Sequence, residues 1–215
     1  MTEQEVQEVM IEAGAILQGH FVLASGKHGD TYVNKDAIYP DTGTISRLCW
    51  ELTYIFGPIF QLGTRRRVVI APAVGGVILS QWVADHLTTL LDRKVLSLYA
   101  DKGDDGGFVI KRGYEEIIPD SDVLVGEDVL TTGKSARQVV EAVRAHGGNV
   151  IGVGALCNRG RVTAKDLGGV PKLHALLNID LESWPEEACP LCQSEIPINT
   201  NVGKGKEYLA RLAQG

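Results

Sequence analysis

The feature that most constrains this chain is a pattern of buried strand, turn, helix and second strand that occurs twice. In the first occurrence, an apolar run at 68–71 leads through the turn at 72–76 into a helix and a new apolar run at 95–99. In the second, an apolar run at 123–126 leads through a polar turn and a helix to a strand at 150–156. Continuous apolar strands that alternate with helices are typical of parallel strands buried on both faces. We therefore predict an α/β fold built on an open, mostly parallel sheet flanked by helices.

The segments outside this pattern predict smaller elements. Apolar residues at helical spacing predict an amphipathic helix over 3–17 and a second helix over 44–60, which its Gly-Pro pair should stop. Two short β-type runs within 21–33 surround a polar turn and predict a hairpin. The stretch after Ser183 is predicted to be an appendage of the same domain rather than a further domain.

Length and composition narrow the class of protein. At roughly 150 residues per domain, a chain of 215 residues favours a single domain over 1–215, with 1–40 and about 183–215 as appendages. No apolar run approaches the roughly 20 residues that a membrane span needs, and the polar N-terminus is unlike a signal peptide. A net charge of -6 has the wrong sign for a protein that binds nucleic acid mainly through its phosphates.

From the charge, the absence of a long apolar run and the polar N-terminus, we expect a cytoplasmic protein with neither nucleic acid nor membrane as a partner.

The four cysteines predict neither a disulfide scaffold nor a metal site. Cys189 and Cys192 lie close together in the sequence CPLC, whereas Cys49 and Cys157 stand alone in apolar segments. A structural zinc site would need two more ligands at workable spacing. We therefore expect CPLC to form a plain loop with a proline-containing turn, and we expect no direct protein ligand for a metal.

The most informative segment is GEDVLTTGKS at 126–135, which leads from an apolar strand into a helix. Glu127 and Asp128 follow the strand, and two carboxylates in that place can accept hydrogen bonds from vicinal hydroxyls of a sugar. Successive backbone N–H groups at a turn into a helix N-terminus form an anion site. The segment therefore predicts a site for a phosphorylated sugar. The residues expected to hold the phosphate are Thr131, Thr132, Gly133, Lys134 and Ser135.

Two other interpretations of this segment are open. A nucleotide-binding P-loop also ends in Gly-Lys-Ser, but it needs a glycine five residues before the glycine of that triplet. Asp128 occupies that position, and the nearest glycine, Gly126, leaves six residues between. The other interpretation is a helix capped by Thr or Ser and preceded by a solvated acidic loop.

A second turn of the phosphate-binding type is predicted at 72–76, PAVGG, where an apolar strand meets its helix. Gly75 and Gly76 let the backbone approach a ligand closely and permit a positive φ. Ligands of open α/β sheets bind at the carboxyl ends of the strands, where both turns lie. A pyrophosphate could lie against this turn; the alternative is a tight strand-to-helix connection without a ligand.

A long glycine-containing connection over 101–122 separates two of the predicted strands. Connections of this length inside a compact domain are usually functional, and often form a lid over an active site. The alternative is a solvated hairpin. The cations of this segment are Lys102, Lys111 and Arg112.

Taken together, VLVGEDVLTTGKS resembles the 5-phosphoribosyl diphosphate (PRPP) motif of the type I phosphoribosyltransferases. HFVLASGKHGDTYVNKD looks like the base-site hairpin of orotate phosphoribosyltransferases, PAVGG like their pyrophosphate loop, and CNRG like the segment that supplies an arginine to orotate. The tail CPLCQSEIPINTNVGKGKEY is similar to that of some microbial members. The chain therefore resembles the orotate phosphoribosyltransferases, with a small N-terminal hood and a flexible lid added to the predicted sheet.

The resemblance implies an activity, a cofactor and partners. The enzyme would transfer the 5-phosphoribosyl group from PRPP to orotate, giving orotidine 5′-phosphate and pyrophosphate in pyrimidine biosynthesis. Family members work as homodimers with Mg²⁺, which is held through the substrate, and a lid lysine crosses to the neighbour's site. The alternatives are a phosphoribosyltransferase for a purine base and a PRPP-binding regulator without catalysis.

The resemblance also implies roles for the residues of the PRPP site. Glu127 and Asp128 would hold the ribose hydroxyls, with Asp128 taking part in catalysis, while residues 131–135 would wrap the 5-phosphate. Lys102 would be the catalytic lysine of the lid, and Lys111 and Arg112 would add charge there.

For the pyrophosphate and the base, the resemblance implies a second set of residues. Ala73, Val74 and Gly75 would flank the pyrophosphate, and the family pattern allows a non-proline cis peptide between the first two. Arg159 and Lys27 would bind orotate.

The chain departs from the family pattern at the base site and in the lid. Several relatives carry a lysine where this chain has Ala24, and another where it has Gly75. Asp101, Asp104 and Asp105 lie around Lys102, so this lid is less basic than that of relatives. These differences concern the base and the lid lysine rather than the PRPP motif.

Overall fold

The computed structural model describes residues 1–213, which divide into two compact units. The first, the sheet unit, comprises Met1–Val6 and Asp41–Ile179. The second, the hairpin–tail unit, comprises Gln7–Pro40 together with the described residues from Asp180 onwards. Within residues 1–213, no helix is both long and apolar enough to cross a membrane.

Helices and strands are numbered here in chain order. The helices are α1 (Glu3–Glu12), α2 (Thr42–Leu62), α3 (Gly76–Leu91), α4 (Lys134–Ala145), α5 (Pro190–Gln193) and α6 (Gly205–Leu212). The strands are β1 (Ile16–Val22), β2 (His28–Val33), β3 (Arg66–Pro72), β4 (Val95–Lys102), β5 (Phe108–Val109), β6 (Ser121–Leu130), β7 (Asn149–Asn158) and β8 (Leu173–Asn178).

The sheet unit is built on a sheet with the strand order β5-β4-β3-β6-β7-β8. Neighbouring strands are parallel, except that β5 is antiparallel to β4. Helix α4 shares a buried core with Val123 and Val125 of β6, while Leu79 of α3 lies against Gly126. Because successive strand residues point to opposite faces, these contacts cover both faces of β6. The predicted α/β fold with an open, mostly parallel sheet is confirmed.

Strands β3 and β6 lie side by side where the direction of the connections reverses. Helix α3 carries the chain from β3 outward to β4, whereas α4 carries it from β6 in the opposite direction to β7. In open α/β sheets this reversal leaves a crevice outside the carboxyl ends of the two strands. Those ends lead into 72–76 and 131–135, so the two predicted phosphate-type turns flank the crevice.

The first helix is shorter than predicted, because α1 ends before the residues at 16–17, which belong to β1. The N–H of Gly14 donates to the carbonyl of Ile11 at 2.9 Å, and that of Ala15 donates to Met10 at 2.8 Å. With Gly14 at φ +71°, this is a Schellman ending, which the Cβ-free residue allows at low cost. Residues 16–17 were predicted as helix because they continue the apolar helical spacing, although they follow this turn and belong to β1.

The predicted end of the second helix is also wrong, because α2 continues through Pro58 to Leu62. Proline inside a helix costs about 3 kcal/mol. Burying Phe60 completely contributes roughly 1.5–3 kcal/mol in the opposite direction. Arg67 completes the helix end by donating to the carbonyl oxygens of Phe60 at 3.0 Å and Gly63 at 2.6 Å.

The hairpin–tail unit combines the predicted hairpin with the C-terminal tail. Strands β1 and β2 are antiparallel, with a register shift between Gln18 and Phe21. Trp184 forms a bridge with His28, and Ile198 forms one with His20. Tail segments therefore run beside both strands of the hairpin.

Candidate active site

The loop between β6 and α4 forms a small cavity of about 130 Å³. Gly133 has φ +72°, and a Cβ at this position would lie 2.9 Å from both Leu167 and Val162, so the loop requires glycine there. The N–H of Lys134 donates to the hydroxyl of Thr132 at 3.3 Å. The cavity is lined by Glu127, Val129, Leu130, Thr131, Thr132, Gly133, Lys134 and Ser135. All five residues predicted to hold the phosphate are thus brought together.

The acidic pair lies within β6 rather than after it, since the strand continues to Leu130. Glu127 is 7% exposed and Asp128 is 3% exposed. The N–H of Asp128 donates to Oε1 of Glu127 at 3.1 Å, and the N–H of Val129 donates to Oδ1 of Asp128 at 2.7 Å. Backbone donors compensate part of the cost of burying two carboxylates. The pair is therefore held in place at the mouth of the loop at 131–135, named the phosphate loop here after its predicted ligand.

The turn after β7 is fastened directly to the phosphate loop. Arg159 donates from Nε to the hydroxyl of Thr131 at 2.9 Å, and from its backbone N–H to the carbonyl of Leu130 at 2.9 Å. A Cβ on Gly160 would lie 1.5 Å from the carbonyl oxygen of Thr131, so only glycine fits at this crossing. The structure thus places the predicted base-binding arginine beside the predicted phosphate site.

Asn158 organises this turn and was missed by the sequence analysis. Its Oδ1 accepts from the N–H of Val162 at 3.0 Å, and its Nδ2 donates to the carbonyl of the same residue at 3.0 Å. The side chain is 7% exposed. The sequence signal that could have identified Asn158 is its position: it is a polar residue at the end of an apolar strand, directly before Arg-Gly.

The 72–76 turn brings the predicted pyrophosphate residues together at the end of β3. The peptide between Ala73 and Val74 is cis, as the resemblance implies, and the side chain of Val74 is exposed. Neither glycine uses the positive φ that it permits, because Gly75 has φ -56° and Gly76 begins α3. Glycine at 76 serves packing instead, since a Cβ there would lie 2.6 Å from Cβ of Ala71.

The predicted lid is a hairpin between β4 and β5. Lys102 ends β4 and pairs with Phe108, and the N–H of Gly103 donates to the carbonyl of Gly107 at 2.7 Å. Arg112 donates from Nε to Asp101 at 2.8 Å, and this hydrogen bond raises the pKa of the guanidinium. Lys102 and Lys111 are exposed, so the hairpin presents cations at its surface.

Lys27 is the predicted site residue that belongs to the second compact unit. It lies in the hairpin–tail unit, exposed in the turn between β1 and β2. The N–H of Leu23 donates to its carbonyl at 2.8 Å. The other predicted residues belong to the sheet unit.

The cysteine nearest the phosphate loop is not suited to nucleophilic catalysis. Cys157 is fully buried in β7, and burial raises the pKa of its thiol to about 12. Because the thiolate is the nucleophilic form, this side chain is inert at neutral pH.

The expectation of a plain loop at CPLC is wrong. Pro190–Gln193 forms the short helix α5, and it brings the two cysteines against two histidines of the hairpin. The side chains of His20, His28, Cys189 and Cys192 have potential ligand atoms within 4.8 Å of one another. The other two cysteines offered no ligands at workable spacing. The histidines were missed because they lie more than 160 residues from CPLC along the chain.

Comparison with protein families matches residues 53–187 to the phosphoribosyl transferase domain. This range contains the acidic pair, the phosphate loop, the 72–76 turn and the β4–β5 hairpin. The chain therefore belongs to the phosphoribosyltransferase family.

Curated relatives refine that assignment. An orotate phosphoribosyltransferase of Pelotomaculum thermopropionicum is 39% identical over 197 residues, which cover 92% of this chain and 95% of the relative. One from Thermus thermophilus is 37% identical over 194 residues, covering 90% and 98%. Within its family, the chain thus falls among the orotate phosphoribosyltransferases.

Solved structures agree on the fold. The crystal structure of orotate phosphoribosyltransferase from Aeropyrum pernix is similar at a TM-score of 0.61 and 27% identity, covering 81% of this chain and 93% of that one. The adenine phosphoribosyltransferase of Saccharomyces cerevisiae reaches 0.60 at 18% identity, covering 81% and 99%. The second likeness concerns the fold alone.

Proposed function

We propose that this protein transfers the 5-phosphoribosyl group of PRPP to orotate, releasing pyrophosphate and orotidine 5′-phosphate. The observation that carries the proposal is the buried pair Glu127–Asp128 at the mouth of the phosphate loop, beside the crevice between β3 and β6. The names of the curated relatives support orotate as the acceptor.

In this proposal the 5-phosphate occupies the cavity between β6 and α4. The turn at 131–135 leads into α4, whose first backbone N–H groups and dipole favour an anion. Glu127 and Asp128 accept hydrogen bonds from the ribose hydroxyls, and bonds to charged groups are stronger than neutral ones. The sugar is thereby held at both its phosphate and its hydroxyl face.

The reaction breaks the bond between the anomeric carbon and the pyrophosphate oxygen, and forms a bond from that carbon to a ring nitrogen of orotate, which loses its proton to solvent. Positive charge develops on the ribose as the leaving group departs, so buried carboxylates near the sugar stabilise the transition state. The leaving pyrophosphate lies against Ala73, Val74 and Gly75. Lys102 approaches it from the lid and stabilises its negative charge.

The residues present fit Mg²⁺ held through the substrate. Glu127 and Asp128 offer the oxygen atoms that Mg²⁺ prefers. Within residues 1–213, however, this pair does not belong to a group of three or more potential ligands. The substrate phosphates would therefore supply most of the coordination. When bound, Mg²⁺ neutralises charge on the pyrophosphate oxygens.

Recognition of the orotate carboxylate is assigned to Arg159. Orotate differs from uracil by a carboxylate, and an arginine fork matches a carboxylate with two hydrogen bonds. The contact of Arg159 with Thr131 uses Nε, so the two terminal NH₂ groups that form the outer fork are not part of it.

The proposed assembly is a homodimer in which Lys102 serves the neighbour's site. A mixture of Lys102→Ala and Asp128→Asn variants tests this, because a mixed dimer would contain one site with both intact residues. We expect activity that neither variant has alone. Mixed dimers without recovered activity would contradict action across the interface.

The test of the function itself is a panel of bases. The protein is incubated with PRPP, Mg²⁺ and either orotate, uracil or adenine, and pyrophosphate release and loss of the base are followed together. We expect release with orotate only. Release with adenine instead would indicate a purine enzyme, and PRPP binding without release would indicate a regulator.

A further inference from the structure

The hairpin–tail unit contains a compact group of two histidines and two cysteines that the phosphoribosyl transfer does not use. Nε2 of His20 lies 2.8 Å from Nδ1 of His28. Sγ of Cys192 lies 3.2 Å from Nδ1 of His28 and 3.7 Å from Nε2 of His20, and Sγ of Cys189 lies 3.7 Å from the same Nε2. Cys189, His20 and His28 are buried. Two sulfur and two nitrogen atoms that can bind a metal therefore lie within 4.8 Å of one another.

These distances are close to those of a tetrahedral zinc site. With Zn–S near 2.3 Å and Zn–N near 2.0–2.1 Å, neighbouring ligand atoms lie roughly 3.3–3.8 Å apart. The measured S···N distances are 3.2–3.7 Å, and only the N···N distance of 2.8 Å is shorter. A slight separation of the two imidazoles would suffice to admit the ion.

The orientation of His20 leaves its inner nitrogen available as a ligand. Nδ1 of His20 lies 2.7 Å from the carbonyl oxygen of Ile196. Since a carbonyl can only accept, Nδ1 carries the proton and Nε2 carries the lone pair in the neutral ring. A histidine ligand commonly donates its other N–H to a carbonyl in this way.

The backbone holds the four residues in place independently of any ion. The N–H and carbonyl of His28 exchange hydrogen bonds with Trp184 at 2.8 Å each, and the carbonyl of His20 accepts from Asn199 at 2.7 Å. The tail thus runs beside both histidines. Between these attachments, α5 starts at Pro190 and positions Cys189 and Cys192 one turn apart.

We propose that His20 Nε2, His28 Nδ1, Cys189 Sγ and Cys192 Sγ bind one Zn²⁺ per chain. Binding deprotonates both thiols and releases two protons, with no change of oxidation state. Two thiolates and two neutral imidazoles balance the charge of the ion, which suits a buried location. Sulfur and nitrogen ligands in a tetrahedron select zinc over magnesium or calcium.

The role of this ion is structural. Four protein ligands close the coordination sphere, whereas a catalytic zinc keeps a position open. The ligands come from β1, β2 and the start of α5, so the ion ties the tail to the hairpin. None of them belongs to the phosphate loop or to the 72–76 turn.

The test measures metal directly. The full-length protein is reduced, loaded with Zn²⁺ without oxygen, freed of loose metal by gel filtration and analysed for zinc. We expect one zinc per chain in the wild type and in the control Cys49→Ala, which removes a buried thiol from α2. Cys192→Ser and His28→Gln should fall to background. Equal zinc in the wild type and in Cys192→Ser would overturn the site.

A second measurement does not depend on variants. Wild-type protein loaded with Co²⁺ should show the intense visible bands of tetrahedral thiolate and imidazole coordination, and zinc should displace them. Removal of zinc by a chelator should increase hydrogen exchange at 16–33 and 184–199 but not at 66–72. Absence of tetrahedral bands, or a Cys189–Cys192 disulfide that persists in place of bound metal after reduction, would refute the proposal.

Discussion

Arg159 and Thr131 join two loops that come from different strands of the sheet. Nε of Arg159 donates to the hydroxyl of Thr131 at 2.9 Å, and Gly160 crosses the Thr131 carbonyl at a distance that excludes any Cβ. The end of β7 and the phosphate loop are therefore positioned as one body. A change of the backbone at this crossing should therefore affect both loops.

The first prediction concerns the base. Arg159→Ala should lower turnover with orotate about ten- to hundredfold, because a hydrogen bond to a charged group contributes roughly 1.5–3 kcal/mol. PRPP binding should change much less. Steady-state kinetics with each substrate varied separates the two effects. Arg159→Lys keeps the charge but loses the fork, so it should recover only part of the loss. Equal use of orotate and uracil by the wild type would contradict orotate selection.

The second prediction concerns the acidic pair. The double variant Glu127→Gln, Asp128→Asn should lower PRPP-dependent turnover by about a hundredfold or more, since each lost hydrogen bond to a charged group contributes roughly 1.5–3 kcal/mol. The amide oxygens can still accept from the backbone N–H groups of Asp128 and Val129. Circular dichroism should therefore show a folded protein. Near-normal PRPP kinetics would remove the assignment of the ribose site.

The third prediction concerns the lid. Residues 101–113 should exchange amide hydrogens quickly without ligand and more slowly with PRPP or orotidine 5′-phosphate. The β4–β5 pairing comprises two residue pairs, Asp101–Val109 and Lys102–Phe108, and residues 104–106 and 111–113 are exposed, so opening the hairpin breaks few backbone hydrogen bonds. The buried strand β6 serves as the internal control. Equal protection of 101–113 in both states would count against a mobile lid.

The fourth prediction concerns the crossing at Gly160. Gly160→Ala should weaken PRPP binding and lower the free energy of unfolding by at least 1–3 kcal/mol, roughly the cost of overpacking. The new Cβ would have to displace the Thr131 carbonyl, which is backbone and cannot rotate away. Gly43→Ala is the control, since its Cβ would meet only the Asp41 carboxylate at 3.3 Å. Chemical denaturation and PRPP titration give both quantities.

The fifth prediction is a dependence of stability on pH. Burial, and then the charge of Lys172, hold the pKa of His174 below its usual value of 6.5. The unfolded chain therefore binds a proton at a higher pH than the folded one, and the free energy of unfolding should fall as the pH drops below 6.5. Denaturation from about pH 7 to about pH 5 with zinc present measures this slope. His174→Gln should reduce the slope, and an unchanged slope would contradict the contribution of this residue.

Local pattern was sufficient to predict β3, β4, β6 and β7 and the turns that follow β3 and β6, but it missed the edge strand β8. Buried parallel strands are continuous apolar runs, and Glu127–Ser135 carries its chemistry within nine consecutive residues. The errors were also local in origin. Residues 16–17 continued a helical spacing past the turn at Gly14, and Pro58 did not end α2 because burial of Phe60 opposed its cost.

Tertiary structure decided what depends on residues distant in sequence. Only the strand order shows that the turns after β3 and β6 flank one crevice, and only the packing of the β7 turn places Arg159 on Thr131. The clearest case of such dependence is the group formed by His20, His28, Cys189 and Cys192. Spacing within the chain signals a metal site only when ligands are near neighbours, whereas here hydrogen bonds between the hairpin and the tail bring the two pairs together. The sequence by itself determined the main strands and helices of the sheet unit and the types of side chain that each turn carries, because these depend on neighbouring residues. The pairing of distant backbone segments decided which of those side chains lie close together.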